Sequence, residues 1–474
     1  MADKNTLFYG DNIDVLPRIA SESVDLIYMD PPFKSDKQYN VLFRTVTGDP
    51  SPAQIHAFDD TWQWSIEAEA TYQAMVATGG SETVTFLRAM FQVLGKSDVM
   101  AYLVMMAPRL IEMRRVMKPT ASIYLHCDPT ASHYLKLLMD AVFTPDQFRN
   151  EVIWLYKTGG ASKRWFARKH DTLLFYSKTK DYLFNPLKEK SYLSHKYGFK
   201  NVEILQDDGG YYTNVNMRDV WDIPALRGNQ PETLGYPTQK PLALLERVIS
   251  ASSNPGDVVL DPFCGCGTAI DAAQSLDRRW LGIDVAYIAV DLIRNRLVGR
   301  YGKDILSTFD TDGIPKDIEG ANALADRNKI DFERWAVSLV NGQPTKASGD
   351  EGIDGKIYFA KTYKEPLDVG VCAVSVKGGA NVNPGMVRDL AGTVSGSDSQ
   401  MGLLILRVPP TAGMESEAAK HATYIHEATG TLYPKIQMMT VAELLEGKQP
   451  QIPSPLPPYQ QASWAAASVA VPLF

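Results

Sequence analysis

Short apolar runs alternate with longer stretches of helical period along the first three hundred residues. Thr6-Leu7-Phe8-Tyr9 and Val24-Asp25-Leu26-Ile27-Tyr28-Met29 read as strands. The Gly10-Asp11-Asn12 turn and a short helix with Val15, Leu16 and Ile19 on one face join them. Ser122 to His126, Glu151 to Tyr156, Thr172 to Tyr176, Val258 to Leu260 and Trp280 to Asp284 are further strand candidates. Between them, Leu103, Met106, Leu110, Met113 and Met117 recur at helical spacing, and Pro119 is expected to stop that helix. His133 to Val142, the face Leu242, Leu245, Val248 and Ile249, Ala269 to Leu276, and a stretch ending near Val298 read as helices too. This alternation predicts an α/β domain over 1–305, doubly wound on a largely parallel sheet.

Three stretches break the rhythm. Residues 34–100 turn aromatic and helical in flavour and read as an insertion. Residues 178–235 lose periodicity and read as a recognition segment, and 306–330 as a linker. A second, smaller α/β domain is expected over 331–445, with a Pro-rich tail over 446–474.

Length fits this division, since 474 residues exceed one ordinary core. A 45% hydrophobic and 22% charged composition is that of a soluble globular chain. The net charge of −7 means that any nucleic-acid contact must gather its Lys and Arg on one face. Four cysteines make no disulfide framework and suit a reducing cytoplasm. The N-terminus lacks the layout of a signal peptide, and no uncharged apolar run reaches the roughly 20 residues that span a bilayer. The expectation is a cytoplasmic protein with no membrane partner.

Candidate chemistry sits at strand ends. Asp30-Pro31-Pro32-Phe33 places a carboxylate, two rigid prolines and a ring where a strand gives way to a loop, the position at which open α/β sheets hold ligands. Asp261-x-Phe263-x-Gly265-x-Gly267 follows a second strand and precedes a helix. Its glycines allow a tight turn and close approach to a ligand, but the spacing is not that of a dinucleotide loop. Asp284 ends the next strand, where an acid grips ribose hydroxyls. Cys264 and Cys266 have no second Cys pair or nearby His, so they read as small turn residues and no metal is expected. His126 and Cys127 read as core or loop residues. In the loop 157–170, Lys157, Lys163, Arg164, Arg168 and Lys169 are interleaved with Trp165 and Phe166. That mixture suits phosphate contacts and support of an unstacked strand, or else a solvated loop.

Asp30-Pro31-Pro32-Phe33 together with Asp261-Pro262-Phe263-Cys264-Gly265-Cys266-Gly267 resembles the S-adenosylmethionine-dependent DNA amino methyltransferases. The catalytic tetrapeptide precedes the cofactor loop, as in the permuted beta class, and Tyr236-Pro237-Thr238-Gln239-Lys240-Pro241 matches that class too. Met29 to Asn40 and Tyr124 to Asp140 are similar to modification subunits of type III restriction systems. The resemblance implies that the strands ending at Asp30 and Asp261 lie side by side. Asp30 and the Pro31 carbonyl then accept the two hydrogens of an exocyclic amine, while Phe33 stacks on a flipped adenine. Cytosine is the alternative acceptor. For the cofactor, the resemblance implies Asp261 at the amino group, Phe263, Gly265 and Gly267 around the methionine end, Asp284 at the ribose, and Thr238 and Lys240 at the carboxylate. Asp11 falls on the adenine side, or is simply a helix N-cap. Double-stranded DNA is the implied partner. A restriction subunit and a second copy of the chain are further candidates.

In the second domain, Gly352-Ile353-Asp354-Gly355 and the strand motif Ser375-Val376-Lys377 resemble the PD-(D/E)xK core of Mrr-like restriction endonucleases. The resemblance implies an acid and an (E/Q)-x-K strand that hold Mg²⁺ and activate water. Asp354 and Lys377 fit, but Ser375 stands where the second acid or Gln belongs, with Glu333 and Glu351 as candidate substitutes. An active nuclease with Mg²⁺, which would make a bifunctional restriction-modification enzyme, a nuclease-derived accessory module and an unrelated domain are the three readings.

Overall fold

The computed structural model describes residues 4–32, 64–156, 163–194, 202–226, 230, 232–234, 239–345, 352–362 and 368–455. Nineteen strands are assigned among them. The first twelve are β1 Asn5–Tyr9, β2 Val24–Met29, β3 Met117–Cys127, β4 Phe148–Leu155, β5 His170–Ser177, β6 Lys188–Leu193, β7 Leu205–Asp207, β8 Gly210–Asn216, β9 Val220–Asp222, β10 Val258–Asp261, β11 Arg279–Asp284 and β12 Phe309–Asp312. Nine of these form one sheet in the order β12-β1-β11-β10-β2-β3-β5-β4-β9. Pairing is parallel from β12 to β3, while β5 runs antiparallel to both β3 and β4.

The sheet is buried on both faces, so its central strands alternate between two cores. Along β2, Val24, Ile27 and Met29 enter one core, and Leu26 and Tyr28 the other. The first face is covered by α4 (Asp98–Val116) and α5 (Ser132–Phe143), with α1 (Asn12–Val15) at one side. The second is covered by α6 (Leu242–Ser252), α7 (Thr268–Ser275) and α8 (Tyr287–Tyr301). Two helices of the expected insertion fall among the described residues, α2 (Ile66–Thr78) and α3 (Glu82–Leu94). Ser65 and Ser81 cap their N-termini, and Trp64, Tyr72 and Phe91 form an aromatic cluster between them.

β2 and β10 are neighbours, with Val259 opposite Leu26 and Leu260 opposite Ile27. From β2 the sheet continues to β3 on one side, and from β10 to β11 on the other. Their shared edge is therefore a topological switch point, and the crevice beyond their carboxyl ends is where such sheets bind ligands.

Three local expectations change. The helix of 101–118 ends at Val116 rather than at Pro119, which lies inside β3. Pairing of Met117 with Val24 starts the strand before the proline can act as a stop. The aperiodic 178–235 region contains β6, β7 and β8, which form a separate three-stranded antiparallel sheet, and β9, which joins the main sheet. The β6 side chains are exposed or half-buried throughout, so no core imposed an apolar alternation on the sequence. The stretch 306–330 contains β12, an edge strand of the main sheet, and α9 (Ile318–Arg327), whose Ala321 and Leu324 lie in the core of the second domain.

That domain has a five-stranded sheet of β13 (Gln343–Pro344), β14 (Gly355–Ala360), β15 (Val369–Lys377), β16 (Met401–Leu406) and β19 (Ile436–Thr440), in that order. β14 and β15 are antiparallel, whereas β15, β16 and β19 are parallel. α10 (Lys329–Ser338) packs on one face and α11 (Pro384–Gly396) on the other. The hairpin β17 (Thr423–Ile425) and β18 (Leu432–Pro434) forms a sheet of its own, with Tyr424 packed edge-on against Phe359 of β14. Tyr287 and Ile314 pack against both this core and that of the main sheet.

Candidate active site

The glycine turn is built from β10 into α7. Gly265 and Gly267 both take left-handed backbone, with φ of +48° and +77°. A Cβ on Gly267 would meet Ile293 Cγ1 at 2.6 Å, so conformation and space both demand glycine there. The turn is closed by Gly267 N–H donating to the Cys264 carbonyl at 2.7 Å. It is also braced from α8. Arg296, fully buried, donates to Asp271 Oδ2 at 2.8 Å, Thr268 Oγ1 at 3.1 Å and the Cys266 carbonyl at 3.4 Å. Cys264 and Cys266 are buried free thiols, and no cluster of three metal-ligating side chains occurs among the described residues.

Three carboxylates meet this turn. Asp284 accepts the Gly265 and Ala286 N–H groups at 2.8 Å each. Burial raises it to about 6 against the pull of those bonds. Asp261 is buried and accepts the Phe263 N–H at 3.0 Å. Burial, then the charges of Asp30 and Asp284, push it well above the usual carboxylate range. Asp30 directly follows β2 and pairs with Lys240 Nζ at 2.5 Å, the two side chains being 16% and 11% exposed. The ammonium compensates a carboxylate that the crevice largely hides from water.

Asp11 caps α1 by accepting the Ile13 N–H at 3.0 Å. It also binds Arg109 Nη2 at 2.7 Å. The next residue, Asn12, donates to the Pro262 carbonyl at 2.8 Å and accepts from Arg109 Nε at 2.5 Å. Asp11 thus stands beside the glycine turn as an N-cap. The sequence reading missed Asn12, Arg109 and Arg296. The one signal for Arg296 was an arginine next to Leu297, on a face otherwise apolar.

A row of polar side chains lies beneath Asp30. The Tyr28 hydroxyl meets His126 Nδ1 at 2.8 Å, His126 Nε2 meets Asp171 Oδ2 at 3.3 Å, and the Tyr156 hydroxyl donates to Asp171 Oδ1 at 3.0 Å. His126 is fully buried, as a core histidine should be, and Cys127 beside it is also buried. Burial alone would raise Asp171, but bonding to His126, that ring's charge and Lys240 hold it below the usual range. Beyond the row, Lys163, Arg164, Arg168, Trp165 and Phe166 are exposed, Phe166 almost completely at 99%, and Lys169 is half-buried. Phe33, Lys157, Thr238 and Glu351 lie outside the described residues.

In the second domain, Asp354 accepts the Val376 N–H at 2.6 Å, and Ser375 Oγ lies 3.3 Å from the same carboxylate. Glu333 on α10 is raised by burial and then by the charge of Asp354, with Lys377 opposing. These four residues therefore share one neighbourhood at the end of β15.

The model of the N6/N4 DNA methylase family matches residues 24–295. DNA adenine methyltransferase YhdJ of Escherichia coli is 26% identical over 64% of this chain and 87% of its own length. Type II methyltransferase M.BglII of Bacillus subtilis is 26% identical over 73% of this chain and 83% of its own. Type II methyltransferase M.EcaI of Enterobacter cloacae is 27% identical over 62% and 70%. Among solved structures, the M1.HpyAVI–SAM complex aligns over 62% of this chain and 98% of its own, at 18% identity and a TM-score of 0.36. The family match spans both the strand that leads into Asp30 and the glycine turn with Asp284, and the chain belongs to the N6/N4 DNA methylases: it is a DNA methyltransferase.

Proposed function

We propose that the acceptor is the exocyclic amine of adenine, in a base swung out of double-stranded DNA. The observation that carries this reading is the adjacency of β2 and β10, which brings Asp30 and the Asp261 turn to one crevice. An aromatic amine is a weak nucleophile because its lone pair is delocalised into the ring. Asp30 and the Pro31 carbonyl would accept its two hydrogens and favour a pyramidal nitrogen, so positioning and fixed charge supply most of the catalysis. Phe33 would stack on the base. The Asp-Pro-Pro-Phe tetrapeptide and the name of the relative YhdJ favour adenine over cytosine.

S-adenosylmethionine supplies a sulfonium methyl for in-line attack. Two buried acids beside the glycine turn fit a ligand that carries both an ammonium group and a ribose diol. Each carboxylate has about four acceptor sites, and Asp261 spends one on Phe263 while Asp284 spends two on Gly265 and Ala286. We assign Asp261 to the ammonium, Asp284 to the diol, and the backbone around Phe263, Gly265 and Gly267 to the methionine end. Thr238 and Lys240 face the methionine carboxylate in this reading, with Lys240 passing between that group and Asp30. Asp11 borders the adenine side. Lys157, Lys163, Arg164, Arg168 and Lys169 would contact phosphates.

The setting is the modification half of a restriction system. The sequence around Asp30 and from Tyr124 to Asp140 resembles type III modification subunits, while two relatives carry the name type II methyltransferase, which supports the setting but not one type. A restriction subunit, or a second copy of this chain, is the protein partner that setting brings. We read the second domain as a nuclease-derived accessory module. Its strand order fits that core, but Ser375 stands where an acid or Gln belongs, and Asp354 is already engaged by Val376 and Ser375.

Transfer of a radiolabelled methyl group to DNA, followed by digestion to nucleosides, tests the main reading. N6-methyladenine is expected, and N4-methylcytosine would overturn the choice of base. Asp30→Ala should lower the rate at least about a hundredfold, the scale of losing one transition-state contact; full activity would remove Asp30 from the mechanism.

A further inference from the structure

The row beneath Asp30 takes one side chain from each of four consecutive strands of the sheet order or its immediate end. Tyr28 is on β2, His126 on β3, Asp171 on β5, and Tyr156 directly follows β4. β4 and β5 are antiparallel, so Tyr156 and Asp171 reach the same rim of the sheet as Tyr28 and His126. All four point to one face, among Tyr124, Trp154, Leu173 and Phe175. Backbone pairing already holds these strands together. Apolar side chains would fill the same layer without the desolvation that a half-buried carboxylate and a fully buried imidazole incur.

The two ends of the row differ in what they touch. Tyr28 lies two residues before Asp30, and burial, then Asp30, Asp261 and Asp171, push its phenol well up, so it stands in the field of the site acids. At the far end, Tyr156 and Asp171 flank in sequence the stretch that holds Lys163, Arg164, Arg168 and Lys169. Tyr156 N–H also donates to the Lys169 carbonyl at 3.0 Å, which ties the base of that stretch to the row. Asp171 feels Lys240 as well, the partner of Asp30.

We propose that Tyr28, His126, Asp171 and Tyr156 form a positioning row that transmits DNA seating on the basic stretch to the orientation of Asp30. None of the four touches the reacting atoms. Each hydrogen bond fixes the rotamer of the next side chain, so a shift at Tyr156 can reach the end of β2 only if every link is intact. The inference rests on the reading that Asp30 receives the amine and that the basic stretch meets DNA.

The test is single-turnover methyl transfer by the full chain carrying Tyr28→Phe, Tyr156→Phe, or both. Phenylalanine keeps the ring and its packing, so only a hydroxyl is lost and the fold is retained. Each single variant should slow the step about tenfold, with S-adenosylmethionine affinity within about twofold of wild type. The double variant should be no slower than the slower single one, because one broken link already disconnects the row, and linked sites are non-additive. A double variant slowed by the product of the two effects would overturn the proposal, as would either hydroxyl being lost without slowing. Rates are taken per active site, so a merely less stable variant loses amplitude rather than rate. Wild-type protein that transfers no methyl to DNA would sink the underlying reading; active wild type with unaffected tyrosine variants would sink this inference alone.

Discussion

Asp284 carries two opposite pH dependences. Burial raises it to about 6, against about 3.9 in an unfolded chain. Between those values the folded state binds more protons than the unfolded one, so this group's contribution is fully present below the lower value and is lost as pH rises through the upper one. With Asp284 assigned to the ribose diol, as proposed above, cofactor binding should run the other way, because the ionised carboxylate is the better acceptor for hydroxyls. S-adenosylmethionine should therefore bind more tightly as pH rises through about 6. Hydrogen bonds to charged groups contribute roughly 1.5–3 kcal/mol, so Asp284→Asn should bind about tenfold or more weakly at neutral pH and lose most of the trend. Calorimetry across that range checks both, and an unchanged pH profile in the variant would exclude Asp284 as its source. At this scale the sequence was informative because strand-end acids and glycines announce themselves. Arg296 did not, since its value lies in partners at Asp271, Thr268 and Cys266 on other elements.

The elements around the glycine turn stand or fall together. α8 holds α7 and the glycine turn through the buried Arg296–Asp271 pair, while Arg300 and the Tyr301 hydroxyl take the other Asp271 oxygen at 2.9 Å each. Removing one member of a buried pair costs about 3–5 kcal/mol. Because Asp271 keeps two partners, Arg296→Met should lie at the lower end, about 3 kcal/mol, by urea unfolding. A loss below about 1 kcal/mol would mean that the brace is dispensable. The main strands and helices were legible because two buried faces enforce regular apolar spacing. β6, β7 and β8 were not, since a sheet exposed or half-buried along its length leaves no such spacing. Pro119 misled for a related reason: strand pairing outside its reach ended the helix three residues earlier.

At the scale of the molecule, two sheets share a seam at Tyr287 and Ile314, and α9 belongs to the second core although it reads as linker. A short polar-faced helix following an edge strand has no signature that says which sheet it will cover. The accessory reading of the second domain predicts no Mg²⁺-dependent cleavage of unmethylated DNA by the full chain. Cleavage by wild type that disappears in Lys377→Ala would overturn it and make the protein bifunctional. No helix among the described residues is long and apolar enough to cross a membrane.

What the chain's order of residues determined is local chemistry: an acid and two prolines after one apolar run, glycines after another, an acid after a third. These follow from backbone sterics and burial, which act over a few residues. Only the tertiary structure decided which of them meet. Strand order set Asp30 beside the Asp261 turn, brought Lys240 across 210 positions to Asp30, and lined up Tyr28, His126, Asp171 and Tyr156 across four strands. Such pairings depend on the sheet as a whole, because neighbours across a sheet are set by how the chain crosses over, and no spacing along the chain records that.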